Sequence, residues 1–319
     1  MDYKKLIAES WAYTQNNKSL IIWYGFLPAI FTTTVGVGIM IYQFFSFKMS
    51  YLFSEGDHSF FNEVMSFILE FVRDNFSLTL PLIVVAAVFA TFYFLFPTLA
   101  RAAAIQMIAR NRNGQEAGIG TGFKFGVTSF LKLLEYHMLI KSFAFFSILV
   151  EMSFVLRNLG PVIFQLLLPV FLLFLIISFM LTLLFTYSDF FIVIDDDSVF
   201  ESMKKSGKLV LMNWKHTFLV SFLMIIIGIR IFIQAILVFL IPIMIILITG
   251  YIATFVLAKA IAIIVGAIFG IVALILAAYL NGIVDVFSYV VWTFTFLELS
   301  NEQQTSARDV FVEDLSNSS

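Results

Sequence analysis

No cysteine occurs among the 319 residues, so disulfides, thiolate metal centres and cysteine nucleophiles are excluded together. Histidine is almost as scarce. His58, His137 and His216 lie in three different segments, and nothing in the sequence argues that they converge on zinc or build a His-based triad. Charge is thin as well: Asp, Glu, Lys and Arg make up 13% of the chain, where a soluble domain carries about 25%. The net charge of -2 offers no basic patch for nucleic acid, because the few Lys and Arg sit beside apolar runs. What is abundant is apolar: 61% hydrophobic residues, 40 of them Phe, and a mean hydropathy of +0.99. Lipid-facing and interhelical packing explains such a wealth of Phe better than a cofactor site does. The class is an all-α polytopic transmembrane helical bundle.

A bilayer core of ~30 Å needs roughly 20 apolar residues, and about six stretches meet this at approximately 20–45, 78–100, 136–156, 162–187, 217–240 and 261–299. The first follows polar and amphipathic residues, is too long for a signal-peptide h-region and lacks a small-x-small site, so it is read as a retained span. The last is too long for one perpendicular crossing. It is tilted, kinked near Asn281-Gly282, or extended beyond the bilayer. Residues 243–260, interrupted by Gly250 and Tyr251, read as a turn or hairpin.

Amphipathic helices precede the outward-going spans. Residues 3–17 place Tyr3, Leu6, Ile7, Trp11 and Thr14 on one side. After Arg101, Arg110, Arg112 and the glycines Gly118, Gly120, Gly122 and Gly126, a second such segment groups Phe123, Val127, Phe130, Leu131 and Leu134. The third begins at a capping box, Ser198 and Glu201, behind Asp195, Asp196 and Asp197. It gathers Val199, Phe200, Met203, Gly207, Val210 and Leu211, with Lys204, Lys205 and Lys208 elsewhere on the circumference. A basic amphipathic helix next to membrane spans belongs in the interface. Domain organisation follows as one transmembrane domain, 1–299, in three helical-hairpin units at about 1–112, 113–188 and 189–299, with 300–319 a loose polar tail. Most Lys and Arg fall in segments on the N-terminal side of the spans, against Lys48, Arg73, Arg157 and Lys259 on the other. That bias predicts a plasma (inner) membrane protein with both termini cytoplasmic.

Three patches carry a family resemblance: Glu9-Ser-Trp-Ala-Tyr-Thr-Gln-Asn-Asn-Lys-Ser-Leu-Ile-Ile-Trp-Tyr-Gly-Phe26, the stretch from Phe185 to His216, and Trp292-Thr-Phe-Thr-Phe-Leu-Glu-Leu299. Together they resemble uncharacterised prokaryotic membrane proteins related to the membrane domain of glycerophosphoryl diester phosphodiesterase. The resemblance implies a six-helix bundle with interfacial helices in a prokaryotic plasma membrane. It does not bring the phosphodiesterase activity, which belongs to a separate soluble barrel for which this chain has no room.

Candidate sites divide into two groups. Charges within spans are costly and are functional candidates by default. Arg230 and Gln234 on the fifth span, and Asn281 and Asp285 on the last, are each four residues apart, so antiparallel helices can pair Arg230 with Asp285 and Gln234 with Asn281. That buried polar cluster is an interhelical clamp or a transport path. The second group, Arg101, Arg110, Arg112, Lys124, Lys204, Lys205 and Lys208, suits lipid headgroups. The glycines from Gly118 to Gly126 either cradle a phosphate near Arg101, Arg110, Arg112 and Lys124 or form a flexible connector. Asp195, Asp196, Asp197 and Glu201 lack the ligand spacing of a calcium loop and read as helix capping. No cofactor, metal or enzymatic activity is assigned. Expected partners are membrane lipids and other membrane proteins. The expected role is a lipid-interacting or membrane-organising scaffold; the alternative is a permease or channel subunit moving a small solute past the polar cluster.

Overall fold

The computed structural model describes residues 2–48, 60–115, 118–141, 145–229 and 259–317. Every regular element among them is a helix: α1 (Tyr3–Asn16), α2 (Lys18–Leu20), a π-helical turn (Ile21–Phe26), α3 (Leu27–Lys48), α4 (Phe60–Asp74), α5 (Phe76–Arg112), α6 (Ile119–Lys141), α7 (Phe145–Asn158), α8 (Gly160–Leu184), α9 (Ser188–Ile194), α10 (Val199–Met212), α11 (Trp214–Ile229) and α12 (Lys259–Asn317). The chain divides into two compact units. The first comprises residues 1–33, 99–128 and 211–319; the second comprises 34–98 and 129–210.

Local chemistry sets the first unit's entry. The Asp2 carboxylate accepts from the Lys4 and Lys5 amides and caps α1. Asn17 ends α1, its side chain donating to the Tyr13 carbonyl at 2.7 Å. The chain then opens into the π turn, where the Leu27 amide reaches back to the Ile22 carbonyl. A ring at Pro28 would collide with the Tyr24 carbonyl of a regular helix, and one widened turn relieves that collision. The π turn and α1 both pack on α12. Gly25 and Gly282 meet backbone to backbone, so that a Cβ on either would overlap the other's main chain. Leu20, Ile21, Tyr24, Ala103, Ile108, Val286, Val290 and Phe294 fill the core around that contact. Trp11 meets Phe287 edge-on at 5.5 Å and Tyr13 meets Phe294 at 5.7 Å.

In the second unit α7 and α8 pack as a hairpin, with Gly160 at φ +86° and Pro161 in the first turn of α8, residues suited to that corner. Tyr187 just before α9 and Phe190, Ile192 and Val193 within it are buried, as are Val199, Ser202, Ser206 and Leu209 of α10. Ser206 ties the two together, accepting from the Tyr187 amide at 3.0 Å and donating to the Leu184 carbonyl at 2.8 Å.

Four helical segments are long and apolar enough to cross a membrane among the described residues: Lys18–Gln43, Phe76–Arg112, Gly160–Ile194 and Ala267–Asn301. A fifth arises if α10 and α11, bent by 96° at Asn213, count together. The span expected at 136–156 instead falls on the end of α6 and on α7, while the one expected at 217–240 starts in α11 and continues outside the described residues. The hairpin expected at 243–260 lies almost wholly outside them too. The last run is one unbroken helix that passes through Asn281-Gly282 and extends far past any span. It includes residues 300–317, expected as a loose tail; no Gly or Pro interrupts that segment, so nothing local stops the helix.

Two amphipathic helices bury faces other than those their large side chains define. On α10 Phe200 and Leu211 are 73% and 69% exposed. Val199 and Val210, expected beside them, are buried with the two serines. On α6 Phe123, Val127 and Leu131 point outward, Leu131 at 72% exposure, while Leu133, Ser129 and the glycines at 122 and 126 pack inward. Small residues let helices approach closely and large apolar ones face hydrocarbon, the arrangement expected where the solvent is lipid.

Candidate functional site

Of the expected clamp, Asn281 and Asp285 fall among the described residues. Arg230 and Gln234 lie outside the described residues. Asn281 donates to the Thr33 hydroxyl at 2.9 Å, and among the described residues Arg101 of α5 is a cation that acts on Asp285. Asn281 and Asp285 are exposed, not buried. Both features follow from α12, where residues 281, 285, 288, 289 and 292 share one side at helical spacing, while Gly282 and Val286 turn inward onto the π turn. The Arg101 guanidinium lies over the Tyr289 ring, 5.4 Å from its centroid, one turn from Asp285. The first unit thus carries on one side of α12 an exposed amide and carboxylate, with a half-buried cation from α5 stacked on a phenol one turn away. The lower and upper neighbours on that side are aromatic: Trp292 is half-buried, and exposed Tyr279 meets Phe26 edge-on at 5.9 Å.

The remaining cations meet different fates. Arg110 stacks on Phe125 at 3.8 Å and donates to Gln106 and Gln115. Arg112 covers Phe294 at 4.3 Å and pairs with Glu9 at 3.1 Å. These two arginines hold the first unit's own elements together. Nearby, Asn111 donates to the Tyr13 hydroxyl at 2.9 Å. Burial pushes the Tyr13 phenol above its ordinary 10.0, with that hydrogen bond acting in the opposite sense. Lys205 is bound by both Asp197 oxygens at 2.8 Å. Lys124, Lys204 and Lys208 are exposed, Lys204 and Lys208 on the same side of α10 as Phe200 and Leu211.

The glycines fall at the start and within the first turns of a helix. Gly118 immediately precedes α6, and Gly120, Gly122 and Gly126 lie within it. A Cβ on Gly122 would strike Met107, and one on Gly126 would stand 2.9 Å from the Leu99 carbonyl oxygen. These two are close-packing positions against α5, and the backbone there is engaged in the helix.

The aspartates after α9 are likewise used internally. Asp195 caps the C-terminus of α9. Asp196, at φ +59°, takes Lys132 on its carboxylate and its carbonyl, each at 2.7 Å. Asp197 takes Lys205. Crowding by protein, then the charge of Asp197, pushes the Asp195 carboxyl above its ordinary 3.8, against the pull of Lys205. Among the described residues no cluster of His, Asp and Glu fits a metal ion.

One convergence escaped the sequence. His137 of α6 stands with Nε2 3.4 Å from the Asp189 carboxylate and Nδ1 3.4 Å from the Thr98 hydroxyl. Asp189 is 3% exposed. No spacing announces this contact, because the three residues come from α5, α6 and α9; the only signal was an aspartate set in the apolar stretch before Phe190.

The fold defines an all-helical, multi-pass membrane protein. Comparison with protein-family models, with curated proteins and with solved structures found no match in any of the three.

Proposed function

We propose that the protein is a non-enzymatic integral membrane protein that gathers and organises lipid at the cytoplasmic border of a prokaryotic plasma membrane. One observation carries this: α10 turns Phe200, Lys204, Lys208 and Leu211 outward together while its serines pack inward. A strip of exposed aromatic and aliphatic side chains interleaved with lysines suits the acyl-headgroup boundary, where apolar groups enter hydrocarbon and ammonium groups reach phosphates. Each lysine near an anionic surface contributes on the order of 1 kcal/mol. Lys124 beside the outward Phe123 and Val127 repeats the pattern on α6.

The test is lipid retained by the full chain from bilayers of phosphatidylcholine with phosphatidylglycerol, identified by mass spectrometry. Enrichment of the anionic lipid, reduced when Lys124, Lys204 and Lys208 are all changed to Gln, is the expected result. Equal enrichment in the variant would overturn the reading. A permease or channel subunit is the second reading, favoured by the exposed Asn281 and Asp285 within an apolar run. Solute flux in proteoliposomes that is abolished by Asp285→Asn would move the conclusion there.

A further inference from the structure

Helix α4 has two unlike sides, and both are open. At helical spacing Val64, Met65, Ile68, Phe71 and Val72 share one arc, while Glu63, Ser66, Glu70, Arg73 and Asp74 share the opposite one. Met65, Ile68 and Phe71 are exposed, as is each member of the polar arc. An apolar arc of this width needs cover. The chain itself points to the cover: Asn75 alone separates α4 from α5, its amide donating to the Phe71 carbonyl at 2.9 Å and its carbonyl accepting from the Leu78 and Thr79 amides at 3.0 and 2.9 Å. One helix ends and the next begins on a single residue. Phe76, Leu78 and Leu80 then open the apolar run of α5, all three exposed, on a helix long and apolar enough to cross a bilayer. The bare arc of α4 thus lies one residue from the border of a membrane span.

That span carries Arg110 and Arg112 at its far end, so a crossing by α5 puts α4 on the opposite face of the bilayer. There the charge of α4 selects the lipid. Its polar arc holds three carboxylates, Glu63, Glu70 and Asp74, against the single guanidinium of Arg73, the reverse of the outward side of α10, where Lys204 and Lys208 are exposed. Anionic headgroups repel such an arc. A zwitterionic headgroup instead holds its ammonium outermost, beyond the phosphate, where the carboxylates lie. We infer that α4 rests flat in the interface of the leaflet away from Arg110 and Arg112, with Ile68 among acyl chains and Glu63 and Glu70 against the ammonium groups of zwitterionic phospholipid. Apolar insertion drives this binding, not attraction to negative charge. A second copy of the chain offers the arc no such complement, because its own α4 brings the same carboxylates.

Because the chain has no cysteine, single cysteines at Met65, Ile68, Glu70 and Phe71 carry nitroxide labels without background. All four side chains are exposed, so the substitutions leave packing intact. The labelled full chain is reconstituted in phosphatidylcholine, and in phosphatidylcholine with an equal share of phosphatidylglycerol. Spin resonance then reads each label's collisions with oxygen, which concentrates in hydrocarbon, and with a nickel chelate, which stays in water. In phosphatidylcholine the oxygen-to-nickel ratio at Ile68 should exceed that at Glu70 severalfold, with Met65 and Phe71 at the same depth as each other. Anionic lipid at low salt should drive α4 outward, each excess negative charge weighing on the inserted population by about fivefold. Changing Glu63 and Glu70 to Gln should abolish that shift. A water-exposed label at Ile68 in phosphatidylcholine overturns the inference, as does a depth that grows steadily from Met65 to Phe71, the mark of an upright helix. Spin-spin broadening at Ile68 that unlabelled chain dilutes away would assign the arc to a second copy and overturn it too, and equal insertion in both bilayers would overturn the choice of lipid. The lysine result on α10 stands whichever way these fall, since it reads retained anionic lipid.

Discussion

Gly282→Ala is the sharpest test of how the first unit is held together. A Cβ at this position would overlap the Phe26 amide and the Gly25 carbonyl carbon, and one at Gly25 would overlap the Gly282 carbonyl. All of these are backbone atoms, so no flexible side chain can swing away. Relief requires α12 to move off the π turn, opening the layer of Ile21, Tyr24, Val286 and Val290. Overpacking of this kind costs typically 1 to 3 kcal/mol. An alanine also favours helix over glycine by roughly 0.5 to 1 kcal/mol, so the net loss is expected near 1 to 2 kcal/mol. The matched controls are Gly36→Ala and Gly270→Ala, both helical with nothing within 4 Å of an added Cβ; they should gain the propensity term alone. The assay is thermal unfolding of the four proteins in one detergent, with Gly25→Ala as the reciprocal partner. Melting temperatures should fall for positions 25 and 282 and hold or rise for 36 and 270. If Gly282→Ala melts with the controls, the close approach is not a determinant of the unit's stability and the placement of the α12 strip loses its support.

Other outcomes follow from particular contacts. His137→Leu removes the imidazole from the buried Asp189 carboxylate, at a cost of roughly 1 to 3 kcal/mol, whereas the double change with Asp189→Leu should recover most of it; additive losses in the thermal cycle would show that the pair does not couple. Asp195 has its carboxyl raised by crowding, so the folded state holds that proton more tightly than the unfolded one. Stability should therefore decline as pH rises through the carboxylate range, and Asp195→Asn should flatten that slope in thermal scans by a small amount, since the side chain stays water-accessible. Lys205→Gln removes an ion pair whose lysine is 42% exposed, and should shift stability by under about 1 kcal/mol. For topology, a cysteine at Asp74 should react with an impermeant thiol reagent on intact cells, and one at Asn113 only after permeabilisation; the reverse pattern would invert the proposed orientation.

Much of the helical fold was legible because apolar runs of sufficient length allow few alternatives. The segments 3–17 and 199–211 each coincide with a helix, α1 and α10. The inward faces were less legible. In water the large apolar side chains of an amphipathic helix mark its buried side, but for α6 and α10 they mark the outer side, and the packed side is written in Gly122, Gly126, Ser202 and Ser206. Pairings across the chain were not legible at all. Asp285 could be recognised as costly, yet the approach of Arg101 depends on where α5 passes, which no spacing in the chain announces. The acidic run at 195–197 was read as a cap for the following helix; the lysines that engage it, Lys132 and Lys205, are distributed so that only the folded chain brings them together.

The contact between the two ends of the chain also sets an order of manufacture. Asn281 finds Thr33 across 248 residues, and at ribosomal speeds of about 5 to 20 residues per second that separation is roughly 10 to 50 seconds of synthesis. Throughout this interval the π turn, with Tyr24 and Gly25, has no α12 to receive it, while the whole of the second unit is synthesised. The first hairpin therefore enters the membrane as an unfinished surface, and whatever shelters it until translation ends, lipid or insertion machinery, occupies the face that α12 later takes.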